Sequence, residues 1–209
     1  MKSFPRPKRL VSFSLVLFLV LGGLGLLRAE DFNPLKDLCF WLEHRYLSLE
    51  QKNLKLMIKK EGLEGARFFF GDLDRWLTFD MREYLHDWRV RVRVVSLKYR
   101  DLKHRPDEVA EKILHLYEKK LAQGQNIVPK VVVDERSGKT VYRYFIPIYT
   151  KQECLSCHGD PHQIPSFYQA EIRFLYPEDR AQGLKPGDLR GALSLEIPAE
   201  AVKYFSFRR

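Results

Sequence analysis

Two cysteines three positions apart are followed at once by a histidine in the stretch Cys154-Leu155-Ser156-Cys157-His158. Thiols at that spacing can add across the two vinyl groups of one porphyrin, and the adjoining imidazole is then delivered to the iron from one face. This chemistry is the covalent attachment of a single c-type haem, with Cys154 and Cys157 as the attachment points and His158 as an axial ligand. Two other chemistries use paired cysteines. A zinc site needs two further ligands, and no second C-x-x-C is present, only Cys39 and scattered histidines. A redox pair of the thioredoxin type opens a helix that follows a strand, whereas Gly159-Asp160-Pro161 directly after His158 argues for a loop.

The elements that must hold these residues can be read from periodicity. Leu35, Leu38, Leu42, Tyr46 and Leu49 recur at three- and four-residue intervals, which predicts an amphipathic helix over 34–60. Gly62 and Gly65 punctuate it, and Phe69, Leu73, Trp76, Leu77, Met81 and Leu85 mark a second helical stretch over 63–87. The period then changes. Arg89-Val90-Arg91-Val92-Arg93-Val94 alternates strictly and predicts a strand with an arginine face and a valine face. That arginine row reads as a solvated face, although the two propionates of a haem offer these arginines, Lys98 or Arg100 an anionic partner.

After Arg105-Pro106, Asp107 and Glu108 suit a helix start, and Val109, Ile113, Leu116, Tyr117 and Leu121 carry the helix to about Gln123, with Gly124 ending it. Val131 to Val133 and Thr140 to Tyr149 predict a hairpin across Glu135-Arg136-Ser137-Gly138-Lys139, and its second strand feeds into Cys154. From Gly159 to Asp188 the prolines 161, 165, 177 and 186 and the glycines 183 and 187 predict a loop wrapping a cofactor rather than regular structure. A last apolar strand, Leu189 to Ile197, precedes a short tail. Helices first, then a mostly antiparallel sheet interrupted by one helix, make an α+β layout.

At 209 residues, 45% hydrophobic and 30% charged, the chain is long enough for one well-packed domain. Residues 1–29 read as a targeting segment. Lys2, Arg6, Lys8 and Arg9 precede Leu10 to Leu27, a run without a charge, and its length fits either a cleaved signal or a retained membrane anchor. Either one exports residues 30–209, divided into a helical part, 30–88, and a sheet and haem loop, 89–209. The expected location is the periplasm or the outer side of the cytoplasmic membrane. The net charge of +9 overstates the basicity of the exported part, because Lys2, Arg6, Lys8, Arg9 and Arg28 leave with the leader, and 31 basic against 27 acidic residues remain, +4. With no arginine-rich arm or nucleic-acid motif, this balance argues against nucleic acid as a partner.

Taken as a set, Tyr144-Phe145-Ile146-Pro147-Ile148, Cys154 through Pro161, Tyr176-Pro177-Glu178-Asp179-Arg180-Ala181-Gln182-Gly183 and Gly187-Asp188-Leu189-Arg190-Gly191-Ala192-Leu193-Ser194 resemble the Tll0287-like haem-binding domain family of exported single-haem proteins and sensor ectodomains. Ser96-Leu97-Lys98-Tyr99-Arg100 and Pro106-Asp107 resemble the segment that joins the family's helical region to its sheet. The resemblance implies a PAS-like fold, with a central antiparallel sheet and long N-terminal helices. It also implies a cysteine, late in an early helical segment, as the second axial ligand. The matching stretch here is Ala66-Arg67-Phe68-Phe69-Phe70, and Phe70 cannot ligate iron. Cys39 and Met81 are then the candidate second ligands, with His86, His104 and His162 behind them.

Three functions are compatible with these features. One is an electron carrier exchanging with a redox partner protein, favoured because no kinase, methyl-accepting or cyclase module follows Ile197. Another is a redox or gas sensor, in which a small ligand at the haem changes helix packing for a membrane signalling partner. The third is a small haem peroxidase, for which His162 is the only convenient acid/base group near the motif.

Overall fold

The computed structural model describes residues 33–45, 56, 59–61 and 85–207. By compactness the chain divides into Met1–Asn33 and Pro34–Arg209, and every described helix and strand lies in the second unit. The charge-free run Leu10 to Leu27, residues 63–84 of the expected second helix, Phe70 and Met81 lie outside the described residues.

The architecture is α+β, built on a four-stranded antiparallel sheet in the order β1-β4-β3-β2. The strands are β1 (Arg91–Val95), β2 (Lys130–Arg136), β3 (Lys139–Tyr149) and β4 (Leu189–Pro198). An N-terminal helix over 34–45 is α1. Between β1 and β2 runs α2 (Glu108–Ala122), and after β3 come α3 (Leu155–His158) and α4 (Ser166–Leu175). The chain closes with α5 (Ala199–Phe207).

β4 is central, and its sequence explains why. Its side chains alternate between two covered faces: Ala192, Ser194 and Glu196 turn one way, while Leu193, Leu195 and Ile197 turn the other, and all six are buried. Leu193, Leu195 and Ile197 pack with Tyr144 and Ile146 of β3 against Leu38, Cys39 and Leu42 of α1 and Ala201 and Phe205 of α5. Each such fully buried aliphatic side chain contributes about 1.5–3 kcal/mol. On the opposite face Ala192, Phe145 and Val95 meet Ala110, Ile113, Leu114 and Tyr117 of α2. The Tyr117 hydroxyl donates to the Phe145 carbonyl at 3.0 Å, so the one polar atom of that side chain is satisfied inside the core.

α2 starts and stops where its residues direct. The Asp107 side chain accepts from the Ala110 amide at 2.9 Å, Glu108 and Glu111 sit in the first turn, and Lys119 and Lys120 in the last. Beyond Gln123, Gly124 takes φ +68° and ends the helix.

The arginine face of β1 is real, and its partners are protein carboxylates. Arg91 pairs with Glu196 at 2.5 Å and Arg93 with Asp107 at 3.1 Å. They belong to a layer under the start of α2 in which the fully buried Arg143 meets Asp107 at 2.7 Å, and Arg136 meets Asp134 at 2.8 Å and Glu196 at 3.1 Å. The row keeps much of the solvent exposure expected of it, with Arg91 73% exposed, and its charges are paired across the sheet as well.

Three other features depart from the sequence reading. The hairpin strands extend to Arg136 and Lys139, leaving only Ser137 and Gly138 as the turn, both left-handed (φ 51° and 73°), the geometry that matches strand twist. The stretch 159–188, expected as loop, contains the ten-residue α4 between Pro165 and Pro177, where no proline or glycine interrupts. The expected tail is α5, whose Phe205 packs edge-on against Trp88 at 5.9 Å between ring centroids.

At the end of the sheet next to the cysteine motif, the β3–β4 register slips. Ile148 pairs with Gly191 and Tyr149 with Leu189, so Arg190 is left without a partner on β3, a β-bulge. Gly191 has φ +153°, and a Cβ there would lie 2.4 Å from the Val95 carbonyl oxygen, so only glycine lets β1 approach.

Candidate functional site

β3 leads straight into the motif. Past Tyr149, the Thr150 amide donates to the Asp188 carbonyl at 2.8 Å and the Gly187 amide to the Thr150 carbonyl at 2.9 Å, so the exit from β3 is pinned to the entry of β4. Cys154 closes a 3-10 turn (Gln152–Cys154), and Cys157 and His158 lie on the single turn of α3, which ends as the Gly159 amide donates to the Leu155 carbonyl at 2.9 Å. This turn brings both thiols and the imidazole together. Both cysteines are free and half-buried. Burial raises the pKa of the Cys157 thiol, against the pull of the Arg100 charge.

The imidazole is fixed by backbone. His158 Nδ1 lies 2.7 Å from the Ala181 carbonyl oxygen. A carbonyl only accepts, so Nδ1 carries the hydrogen, and Nε2 of the neutral ring keeps its lone pair. Burial first, then the charges of Arg190 and Arg100, push the His158 pKa well below the usual range, against the Ala181 hydrogen bond. The ring is therefore neutral at physiological pH, the state a metal requires of it.

Ala181 is itself held in place. Asp179 accepts from the Ala181 amide at 2.9 Å and from Gln182 Nε2 at 2.9 Å, and its two oxygens face Arg100 Nε at 3.3 Å and Nη2 at 3.4 Å. The same Arg100 Nη2 donates to the Cys157 carbonyl at 2.6 Å. One arginine thus links the motif to the carboxylate that organises its anchoring loop, and the pair is largely removed from water, at 13% and 6% side-chain exposure. Leu184 and Gly183 amides donate to the His158 and Gly159 carbonyls at 2.9 and 2.8 Å, zipping the loop along the motif. The Arg180 amide donates to the Tyr99 carbonyl at 2.9 Å, and its guanidinium lies 5.1 Å from the Tyr99 ring centroid.

The sequence candidates fall into separate places. Cys154, Cys157, His158 and Arg100 come together, with Arg100 committed to Asp179 and the Cys157 carbonyl. Lys98 is exposed, and its carbonyl accepts from Arg190 Nη1 at 3.1 Å. Cys39 is 3% exposed in the core between α1 and the sheet, and burial, with the nearby Glu43 charge, pushes its thiol up to about 12. His86 is exposed beside Asp87. His104, half-buried in the turn after β1, has its pKa pushed down to about 4, by burial first and by Lys103 next. His162 stands four residues after His158, on the exposed 3-10 turn Pro161–Gln163. Among the described residues no group of three or more His, Cys, Asp or Glu side chains converges to hold a metal ion.

The residues the sequence reading missed are Asp179, the Ala181 carbonyl and Arg190. Asp179 and Arg190 stand in the segments that carry the family resemblance, but only the fold shows what they touch.

A family model described as Tll0287-like matches residues 45–198. The chain belongs to the Tll0287-like family. The matched range contains the motif, Arg100, Asp179, Ala181 and Arg190, that is, every residue that builds the Tll0287-like site around His158. A solved structure, the crystal structure of the cyanobacterial heme-protein Tll0287, is 30% identical, with 57% of this chain and 68% of that chain covered and a TM-score of 0.46. No curated protein matches the chain.

Proposed function

We propose that this protein binds one haem, joined covalently through Cys154 and Cys157, and transfers electrons outside the cytoplasm. The observation that carries the reading is His158: its Nδ1 is occupied by the Ala181 carbonyl at 2.7 Å, so Nε2 is oriented as a neutral donor beside two free thiols at the attachment spacing. The donor set fits the group. A bound haem supplies one-electron chemistry at its iron, and the chain's own residues do the rest. Cys154 and Cys157 hold the macrocycle, His158 faces the metal, and Arg100 and Asp179 keep the Ala181 carbonyl on the ring.

A second ligand to the iron would have to come from Cys39, in the core under α1, or Met81, outside the described residues. Residues 1–29 serve as the export leader or the membrane anchor in this reading, and the partner is a redox protein in the same compartment.

A sensing role is the second reading, and the linkage His158–Ala181–Asp179–Arg100 supports it, since it joins the ligand imidazole to the segment after β1. One experiment separates the two. The purified haem protein is cycled between oxidised and reduced forms at an electrode, and the reduced form is exposed to carbon monoxide. Electron transfer predicts a reversible one-electron cycle and poor carbon monoxide binding, because a sixth ligand holds the iron. Ready carbon monoxide binding by the reduced protein overturns it in favour of sensing.

A further inference from the structure

Arg190 is the residue that the bulge between β3 and β4 leaves unpaired on its strand. Bulges beside functional sites re-aim the side chain they carry. The Arg190 backbone is fixed by the Ser96 hydroxyl, which donates to its carbonyl at 2.7 Å. Its Nη1 then donates to Ser96 Oγ at 3.2 Å and to the Lys98 carbonyl at 3.1 Å. Those two bonds use Nη1 alone, and the Nε and Nη2 hydrogens have no acceptor among the described residues. No carboxylate of the described residues lies within ion-pair reach of this guanidinium either.

The contrast with its neighbour is sharp. Arg100 is closed off by Asp179 and the Cys157 carbonyl, and the Arg91, Arg93, Arg136 and Arg143 guanidiniums each have a carboxylate. Arg190 has none among the described residues, although it lies beside a second positive charge. Burial and the Arg100 charge push its pKa down to about 10, so it remains charged at neutral pH. Its field reaches both His158 and Cys154. A half-buried cation with an open planar donor edge is stabilised by an anion that is planar and accepts two parallel bonds, and a carboxylate is that anion.

We propose that Arg190 binds a propionate of the haem through its open Nε and Nη2 edge and thereby tunes the reduction potential of the iron. This rests on the covalent-haem reading. Lys98 and Arg100, the residues that the sequence offers to the propionates, act instead as positioning residues: the Lys98 carbonyl steers Arg190, and Arg100 secures the motif. A guanidinium close to the haem disfavours the more positive ferric state, so its loss lowers the potential.

The test uses the full chain matured with haem, as wild type, Arg190→Gln and Arg190→Lys. The potential is measured by spectroelectrochemistry, and the propionate bending band by resonance Raman. In Arg190→Gln the potential falls below that of wild type and the propionate band shifts, with haem still attached on a denaturing gel. In Arg190→Lys the charge is kept and the planar fork is lost, so the band shifts while the potential stays nearer wild type. Should the glutamine variant fail to accumulate, the lysine variant decides by its propionate band. An unchanged band, or an unchanged potential in Arg190→Gln, overturns the assignment and leaves Arg190 a structural brace for Ser96 and Lys98. A wild-type chain that carries no covalent haem overturns the functional reading itself, and a haem-bearing wild type with silent variants overturns this inference alone.

Discussion

On the proposed reading, His158→Ala is expected to leave haem covalently attached while removing one axial ligand and opening a position at the iron. The two halves of this result follow from separate parts of the site. Attachment depends on the Cys154 and Cys157 thiols, which lie on the 3-10 turn and on α3 and whose backbone is held by the Arg100 bond to the Cys157 carbonyl and by the loop bonds at 183 and 184. None of these contacts uses the imidazole. Ligation would depend on Nε2 alone, since Nδ1 is engaged by the Ala181 carbonyl. The absorption and electron-paramagnetic spectra of the oxidised variant should therefore show high-spin iron, and the reduced variant should bind carbon monoxide. Spectra identical to wild type would remove His158 from the iron. Asp179→Asn, which weakens the support of Ala181 without touching the ring, is a milder lesion, expected to loosen the His158 ligation rather than remove it.

Asp107→Ala is expected to lower folding stability by about 2–4 kcal/mol, mainly by stranding a buried charge. Asp107 caps α2 through the Ala110 amide and faces Arg143 at 2.7 Å and Arg93 at 3.1 Å. Arg143 has no exposed surface, and without Asp107 its nearest carboxylates are Glu196 at 3.8 Å and Asp134 at 3.9 Å, beyond good hydrogen-bond distance. The cost falls short of that of a wholly buried pair because Asp107 itself is 40% exposed.

Urea unfolding measures this loss through the shift in midpoint at constant slope. A midpoint equal to that of wild type would mean that Glu196 and Asp134 suffice for Arg143. Asp107→Asn, which can still cap the helix, should recover part of the loss. The acid limb carries the same signature. Burial works against the Asp107 charge, yet the Arg143 and Ala110 hydrogen bonds hold its pKa below the ordinary range. Its contribution is therefore present above the unfolded carboxylate pKa, about 4, and is lost as the pH falls through the lower folded value. The alanine variant should lack that part of the acid sensitivity.

What the sequence made legible was local. Cys154, Cys157 and His158 adjoin one another, so the proposal of covalent haem can be made before any fold is known. Asp107 before the apolar spacing of α2, and Gly124 after it, mark both helix ends within a few residues. The alternation of β1 revealed a strand, but the role of its arginines depends on register, because Arg91 meets Glu196 only when β4 lies alongside. α4 was hidden by its surroundings: the prolines and glycines on both sides set the expectation of a loop, although Tyr168, Ile172 and Leu175 recur at helical spacing between them.

The site residues that escaped notice did so for physical reasons. Ala181 acts through its backbone carbonyl, which any residue type would supply. Arg190 owes its place to a bulge, and a one-residue register slip leaves no trace in composition.

The central claim is that this chain holds one haem through Cys154 and Cys157. The most direct measurement is the intact mass of the mature protein, purified from a host with functional haem-attachment machinery, beside that of Cys154→Ser with Cys157→Ser. Covalent attachment predicts the polypeptide mass plus one haem for the wild type, and the bare polypeptide mass for the double variant. A wild-type mass equal to the polypeptide alone would contradict it.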